Sequence, residues 1–114
     1  MKYSGWDFLE HMLRACELIE RFMVDVKDVD EFINDELRCR AVTMELFGFA
    51  ELVKKTAEDG TLPGKMNPWR EIIRFRDKVG HWYFETNFKV VYDVVTKHLP
   101  TVHTYLKEQK RGQP

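Results

Sequence analysis

The chain has 114 residues, of which 44% are apolar and 32% are charged, and its formal net charge is −1. This composition is typical of one globular domain with a hydrophobic core. No apolar run approaches the ~20 residues that span a bilayer, and no basic-then-apolar leader is present, so we expect neither a membrane protein nor a secreted one. Two cysteines, Cys16 and Cys39, are too few for a disulfide framework, so we expect two buried thiols in a cytoplasmic protein.

Charge is distributed unevenly along the chain. Residues 1–53 contain six Lys and Arg against twelve Asp and Glu, whereas residues 54–114 contain twelve against seven. Residues 65–83 contain five bases and two acids. The protein is therefore not a general polyanion binder, but this segment has a local positive bias.

The spacing of apolar residues predicts helices from the start of the chain. Ser4 can cap a first helix of about twenty residues. Its apolar stripe runs from Trp6 to Met23, with one polar interruption at Glu20. Asp28 and Asp30 then suit the start of a short helical turn.

A long second helix follows the short turn. Asn34 or Asp35 can cap its start, and Gly60 is suited to the left-handed conformation that closes a helix. Three-four spacing predicts an inner face for this helix, with the residues Leu37, Ala41, Met44, Phe47 or Gly48, Glu51 and Val53.

The remaining sequence predicts a loop and two further helical segments. Residues 62–68 are the clear loop, and a third long helix follows over residues 68–79. Thr86 or Asn87 can cap a helix rich in valine pairs, and Pro100 marks a kink or a restart. Short loops between long amphipathic helices favour antiparallel neighbours. We therefore predict one all-α domain over residues 1–114, an up-and-down bundle of four main helices with one or two short ones, and a frayed tail at residues 110–114.

The residues best suited to chemistry lie around the end of the third helix. Arg76 shares a stripe with Ile72 and Ile73, where a bundle would normally carry Leu. A charged residue there is costly unless it has a partner or reaches a cleft. His81 and Tyr83 follow just past the glycine that ends the helix. Arg neutralises phosphate, His transfers protons near neutral pH, and Tyr offers a hydroxyl, so the three suit chemistry on a phosphodiester.

Each of these residues also has a structural interpretation. Arg76 could form an ion pair with a carboxylate such as Glu51 or Asp77. His81 could cap the helix end, and Tyr83 could be a core aromatic. The spacing of the cysteines and histidines does not predict a metal site, and no glycine-rich phosphate loop is present.

The surroundings of the motif resemble the HepT toxin family of the HEPN superfamily. The pattern consists of Pro68-Trp69, a helical spacer, Arg76 with a polar residue after it, and His81-Trp82-Tyr83. Leu46-Phe47-Gly48 upstream and Leu99-Pro100 downstream also match. The resemblance extends from Trp6 to about Leu106.

This resemblance implies an activity, a site and partners. HepT-like proteins are helical homodimers that cleave RNA at a dimer cleft without metal or cofactor, which assigns Arg76 and His81 to catalysis. A higher assembly of this chain stays an alternative to the dimer. Asp77, Lys78 and Trp82 become candidate substrate contacts. Such toxins pair with a small nucleotidyltransferase antitoxin of the MntA type, which implies adenylylation of Tyr83.

The sequence departs from the family pattern in two places. The family commonly has Gly-Glu-Ala in the long helix, where this chain has Gly48-Phe49-Ala50-Glu51, so the acid is displaced or lost. Relatives often have Asn where this chain has Asp77. The alternative function is a non-catalytic subunit that binds nucleotide for a nucleotidyltransferase, with Arg76 on the phosphate and Trp82 or Tyr83 stacked on the base.

Overall fold

The computed structural model describes residues 5–59, 72–77 and 87–112. Within these ranges the chain forms helices and no strand, which confirms the predicted all-α bundle. None of the described helices combines the length and apolar character that a membrane crossing requires. The helices are α1 (Gly5–Met23), α2 (Val29–Asn34), α3 (Glu36–Asp59), α4 (residues 72–77), α5 (Phe88–Asp93) and α6 (Leu99–Arg111), with a π-helical turn at Val94–His98 joining the last two.

Side-chain caps begin three of these helices. Asp28, Asp35 and Asn87 each accept a hydrogen bond from a backbone N–H two or three residues later, at 2.9, 3.1 and 2.9 Å. These bonds satisfy N–H groups that a helix start leaves without a partner. The capping residues Asp28, Asp35 and Asn87 are thus all among the predicted helix starts. The predicted caps Ser4 and Gly60 lie outside the described residues.

The core lies between α1, α3 and the helices that follow residue 87. Cys16 and Cys39 are both free and buried, as predicted. Burial raises the pKa of the Cys16 thiol to about 12, with smaller contributions from nearby carboxylates. Completely or almost completely buried side chains of the core include Leu9, Met12, Ile19, Phe32, Val42, Leu46, Phe49, Val53, Ile72, Val91, Val102 and Leu106.

The predicted inner face of α3 is wrong in part. Leu37 is 83% exposed and Met44 is 56% exposed. Gly48 is also exposed, and a Cβ built on it meets nothing within 4 Å. Two apolar stripes compete on this helix, and the one that reaches the core is Val42, Leu46, Phe49 and Val53. This stripe is the one that packs against α1 and α5, and burial against them removes its apolar surface from water.

The last helix restarts at Pro100, which is one of the two predicted alternatives. The π-helical turn at Val94–His98 ends immediately before α6, and Pro100 lies in the first turn of α6, where a backbone N–H has no intrahelical partner to lose. α6 continues to Arg111, and the Lys110 ammonium lies 3.1 Å from a carboxylate oxygen of Glu10 on α1. The expected frayed tail at residues 110–114 therefore differs from the structure at its first two residues, which are helical.

Candidate functional site

Arg76 lies where α4 meets the surface beside α3. Ile72 is completely buried and Phe75 is 5% exposed, so the core fixes the backbone of α4 on one side. The side chain of Arg76 is 28% exposed and lies at the edge of that buried surface. Arg76 therefore lies at the boundary between the core and the surface. Its apolar stem is covered, and its guanidinium is within reach of solvent.

Two carboxylates bind the guanidinium of Arg76. Its Nε–H donates to Oε1 of Glu51, which is presented by α3. Its Nη1 donates to Oδ1 of Asp77 at 3.0 Å. The bond to Glu51 and then the bond to Asp77 raise the pKa of Arg76 above its usual value, so the guanidinium stays charged. The ion pair that the sequence left as an alternative is thus present, with both named carboxylates.

Lys54 extends this network on α3. Its Nζ lies 3.8 Å from Oδ1 of Asp77, the oxygen that also accepts from Arg76. Sequence analysis did not identify Lys54, although its position three residues after Glu51 places both on neighbouring turns of one helix. The four side chains, two cations and two anions, form what we call the Arg76 cluster: Glu51, Lys54, Arg76 and Asp77.

The geometry leaves part of the guanidinium available for an anion. An arginine has five N–H donors, and the described residues engage one on Nε and one on Nη1. Among the described residues none binds Nη2. A planar guanidinium with free Nη donors can bind phosphate through two parallel hydrogen bonds. The cluster can therefore hold a cation in a fixed orientation and present its outer edge to a phosphodiester.

The other predicted site residues are not all placed. Arg76 and Asp77 are joined by the hydrogen bond described above, and their roles in catalysis and substrate contact stay predictions. Lys78, His81, Trp82 and Tyr83 lie outside the described residues, so their roles stay predictions.

A second polar pair joins α1 to α6, with a buried imidazole and an exposed carboxylate. His103 on α6 is 4% exposed, and its Nδ1 lies 2.5 Å from Oε1 of Glu20 on α1. An ionised carboxylate only accepts, so with Glu20 ionised the Nδ1–H of His103 is the donor. Nε2 is buried and has no partner among the described residues. Glu20 was the polar interruption in the predicted stripe of α1, and His103 is the partner that explains it.

The charged surface around α2 is unsuited to a polyanion. A shallow groove there contains six acidic side chains and two basic ones, and repulsion would keep nucleic acid away. Its lining residues are Asp25, Lys27, Asp28, Asp30, Glu31, Asn34, Asp35, Glu36 and Arg38. In the described part of the chain, no group of three or more His, Cys, Asp and Glu side chains is arranged to hold a metal ion.

Comparison with known proteins assigns the family. Residues 12–109 match the family described as "Ribonuclease HepT-like". The chain is 34% identical over 104 residues to a protein of Caldanaerobacter subterraneus subsp. tengcongensis whose name describes a candidate RNase, and the match covers 89% of both chains. It is 33% identical over 102 residues to the "Probable ribonuclease HepT" of Thermococcus cleftensis, covering 90% of this chain and 92% of that one. No solved structure matches the chain. The extent of these matches shows that this chain belongs to the HepT-like ribonuclease family of the HEPN superfamily.

Proposed function

We propose that this chain is the endoribonuclease toxin of a toxin–antitoxin pair, with Arg76 and His81 as its catalytic residues. The observation that carries the proposal is the Arg76 guanidinium, which two carboxylates hold at the surface with Nη2 open among the described residues. Family membership supports RNA as the substrate class. The basic bias of residues 65–83 supports the same substrate.

The proposed mechanism uses the nucleophile that RNA itself supplies. The 2′-hydroxyl attacks the adjacent phosphorus, and the bond from phosphorus to the 5′-oxygen of the next nucleotide breaks. One His81 removes the proton from the hydroxyl, and a second His81, from another copy, protonates the leaving oxygen. Arg76 stabilises the negative charge that grows on the non-bridging oxygens. No metal or cofactor takes part in this scheme.

The proposal includes a second copy of the chain, because a cleft between two copies would contain one His81 from each. The exposed stripe of α3, defined by Leu37, Met44 and Gly48, supports such a dimer. Large apolar side chains on an open helix face favour burial against a partner. Glu51 continues the same face one turn further, so a copy docked there would lie beside the Arg76 cluster. Met44→Glu should convert the dimer to a monomer in sedimentation, whereas Val24→Glu, at an 82% exposed valine off the stripe, should not.

The proposed partner is a small nucleotidyltransferase that acts as the antitoxin in the cytoplasm. The Tyr83 hydroxyl would attack the α-phosphorus of ATP, releasing pyrophosphate and leaving an adenylyl group on the tyrosine oxygen. The adduct adds bulk and negative charge two residues from His81, which would exclude an RNA phosphate by occlusion and repulsion. Mass spectrometry after incubation with the cognate transferase and ATP tests this step.

The decisive experiment for the RNase proposal is cleavage of a labelled RNA in the presence of a chelator. Arg76→Ala and His81→Ala should each lower kcat by about 10²-fold or more, since each removes a group that acts on the transition state. Arg74→Ala is the matched control, because it removes an exposed cation from the same helix two residues away. Equal cleavage by wild type and His81→Ala would contradict the assignment. No cleavage by wild type, with ATP binding that Arg76→Ala abolishes, would favour the alternative of a non-catalytic nucleotide-binding subunit.

A further inference from the structure

We infer that Glu51 is the positioning residue of Arg76: its carboxylate holds the guanidinium by Nε, so that the Nη groups are aimed at the phosphate. The inference rests on the proposed function, since it assigns Glu51 a role in the same site. It gives a function to a residue that neither the motif nor its spacing had marked as part of the catalytic machinery.

The contact at Nε determines where the guanidinium points. An arginine side chain has four rotatable bonds, so a free one samples many orientations and loses much entropy when it binds an anion. Glu51 fixes the end of the chain nearest the stem, and the Nη atoms then extend beyond it. The two residues are 25 positions apart in sequence, so the bond joins α3 to α4 and fixes the guanidinium relative to both helices.

Both residues of this contact lie next to residues that are packed in the core. On α3, Ala50 is completely buried and Val53 is 2% exposed, so the turn that carries Glu51 is anchored in the core. On α4, Phe75 does the same for its neighbour Arg76. A catalytic group held by packed elements keeps its orientation without reorganising during the reaction, which is the condition under which it stabilises charge best.

The ion pair between Glu51 and Arg76 contributes little to folding stability. The side chains of Glu51 and Arg76 are 31% and 28% exposed, so water and salt screen their attraction. Ion pairs at such positions add little to the stability of a protein. The value of the contact lies in the orientation it imposes on a guanidinium that remains open to solvent.

Asp77 is distinct from Glu51 in this arrangement. It accepts from Nη1, on the end of the guanidinium that a phosphate would approach, and its charge opposes an incoming anion. Lys54 partly offsets that charge from 3.8 Å. Glu51 therefore orients the guanidinium, whereas Asp77 competes with substrate for it, and the two carboxylates should give opposite effects when neutralised.

The kinetic test compares three substitutions on α3. Glu51→Ala should lower kcat by about 10²-fold, the loss expected when a reacting group is misplaced by about 1 Å, with a smaller change in KM. Glu51→Gln retains an oxygen that accepts from Nε and should lose less. Glu58→Gln makes the same charge change at an exposed position two turns further along α3, and it should cleave RNA at the wild-type rate. An unchanged or higher kcat in Glu51→Ala would overturn the inference.

Chemical rescue separates positioning from a structural role. In Arg76→Ala, added guanidinium ion should restore part of the cleavage, because Glu51 can hold the ion in the vacated position. In Arg76→Ala combined with Glu51→Ala the rescue should be lost. If Arg76→Ala cleaves as well as wild type, the proposed function fails. If Arg76→Ala is inactive but rescue does not depend on Glu51, only the positioning role fails.

A measurement without substrate completes the test. The Nε–H of Arg76, assigned with Arg76→Lys, should give a slowly exchanging proton signal in nuclear magnetic resonance, since its proton is held by a carboxylate. Glu51→Ala should speed exchange of this proton, while Glu58→Gln should leave it unchanged. Equal exchange in wild type and Glu51→Ala would refute the contact itself, whatever the RNase activity of the preparation.

Discussion

Replacing Gly48 with alanine should stabilise the protein. Gly48 lies inside α3, on the exposed side of the helix, and a Cβ built there meets nothing within 4 Å. Alanine therefore adds a methyl group without a clash. Glycine costs more backbone entropy on folding than any other residue, and a helix interior gives nothing in return.

The size of the gain follows from this open position. Glycine is ~0.8–1.0 kcal/mol less favourable than alanine in an exposed helix interior, so we expect the free energy of unfolding to rise by about 1 kcal/mol. At an unfolding entropy of ~2.1 cal/mol/K per residue, that gain raises the Tm of a 114-residue domain by about 4 °C. The isolated chain should show this full effect, because nothing else in its environment changes.

Thermal and urea unfolding, followed by circular dichroism, measure the effect. The background is Met44→Glu, which keeps the chain monomeric if the α3 stripe is the dimer contact. Gly112→Ala is the control, since Gly112 lies beyond the last helical residue of α6, and its substitution should give a much smaller gain. A Tm that is unchanged or lower in Gly48→Ala would refute the open, helical environment at this position.

The same substitution also probes the second copy. In the wild-type background the methyl group would lie within the proposed contact between two α3 helices, where a glycine permits close approach. The stabilisation should then be smaller than in the Met44→Glu background. Equal gains in both backgrounds would place the dimer contact elsewhere.

Three further predictions concern charge, a thiol and a tyrosine. Asp77→Asn removes a carboxylate that competes for Nη1, so it should lower KM for RNA severalfold in cleavage assays, and a higher KM would contradict this role. The pKa of Cys16 is about 12 in the fold against 9.0 as its ordinary value, so the unfolded state loses its proton first and stability should fall as pH rises from 9 towards 12. Urea unfolding should show a steeper loss over that interval in wild type than in Cys16→Ala, and parallel curves would refute the burial of the thiol. Tyr83→Phe should keep most RNase activity but resist silencing by the nucleotidyltransferase; silencing at the wild-type rate would exclude Tyr83 as the modified residue.

Local signals in the sequence were sufficient to predict those features of the fold that depend on local contacts. A cap such as Asp28 or Asn87 acts on backbone N–H groups two or three residues away, so its side chain and its spacing predict the helix start. The apolar stripe of α1 was equally clear, because only one face of that helix is apolar. These features required no knowledge of what the helix packs against.

The orientation of α3 could not be predicted in this way. Its sequence offers two overlapping apolar stripes, one through Leu37 and Met44 and the other through Leu46 and Phe49. Three-four spacing is satisfied by both. The choice depends on the surfaces of α1 and α5, which a single sequence does not give, and the structure exposes the first stripe.

Polar residues on apolar stripes marked two interhelical polar pairs of the described structure, Glu20–His103 and Arg76–Glu51, but their settings differ. Glu20 marked the contact to His103, which is 4% exposed, so the imidazole ring lies in the core although the Glu20 side chain is 58% exposed. Arg76 marked the contact to Glu51, but its side chain is 28% exposed and its Nη2 has no partner among the described residues. A paired group that is closed to solvent can only contribute to the fold, whereas one that retains donors at the surface can also bind a ligand. Exposure and remaining donors, which the sequence does not contain, therefore distinguish the candidate site from the structural pair.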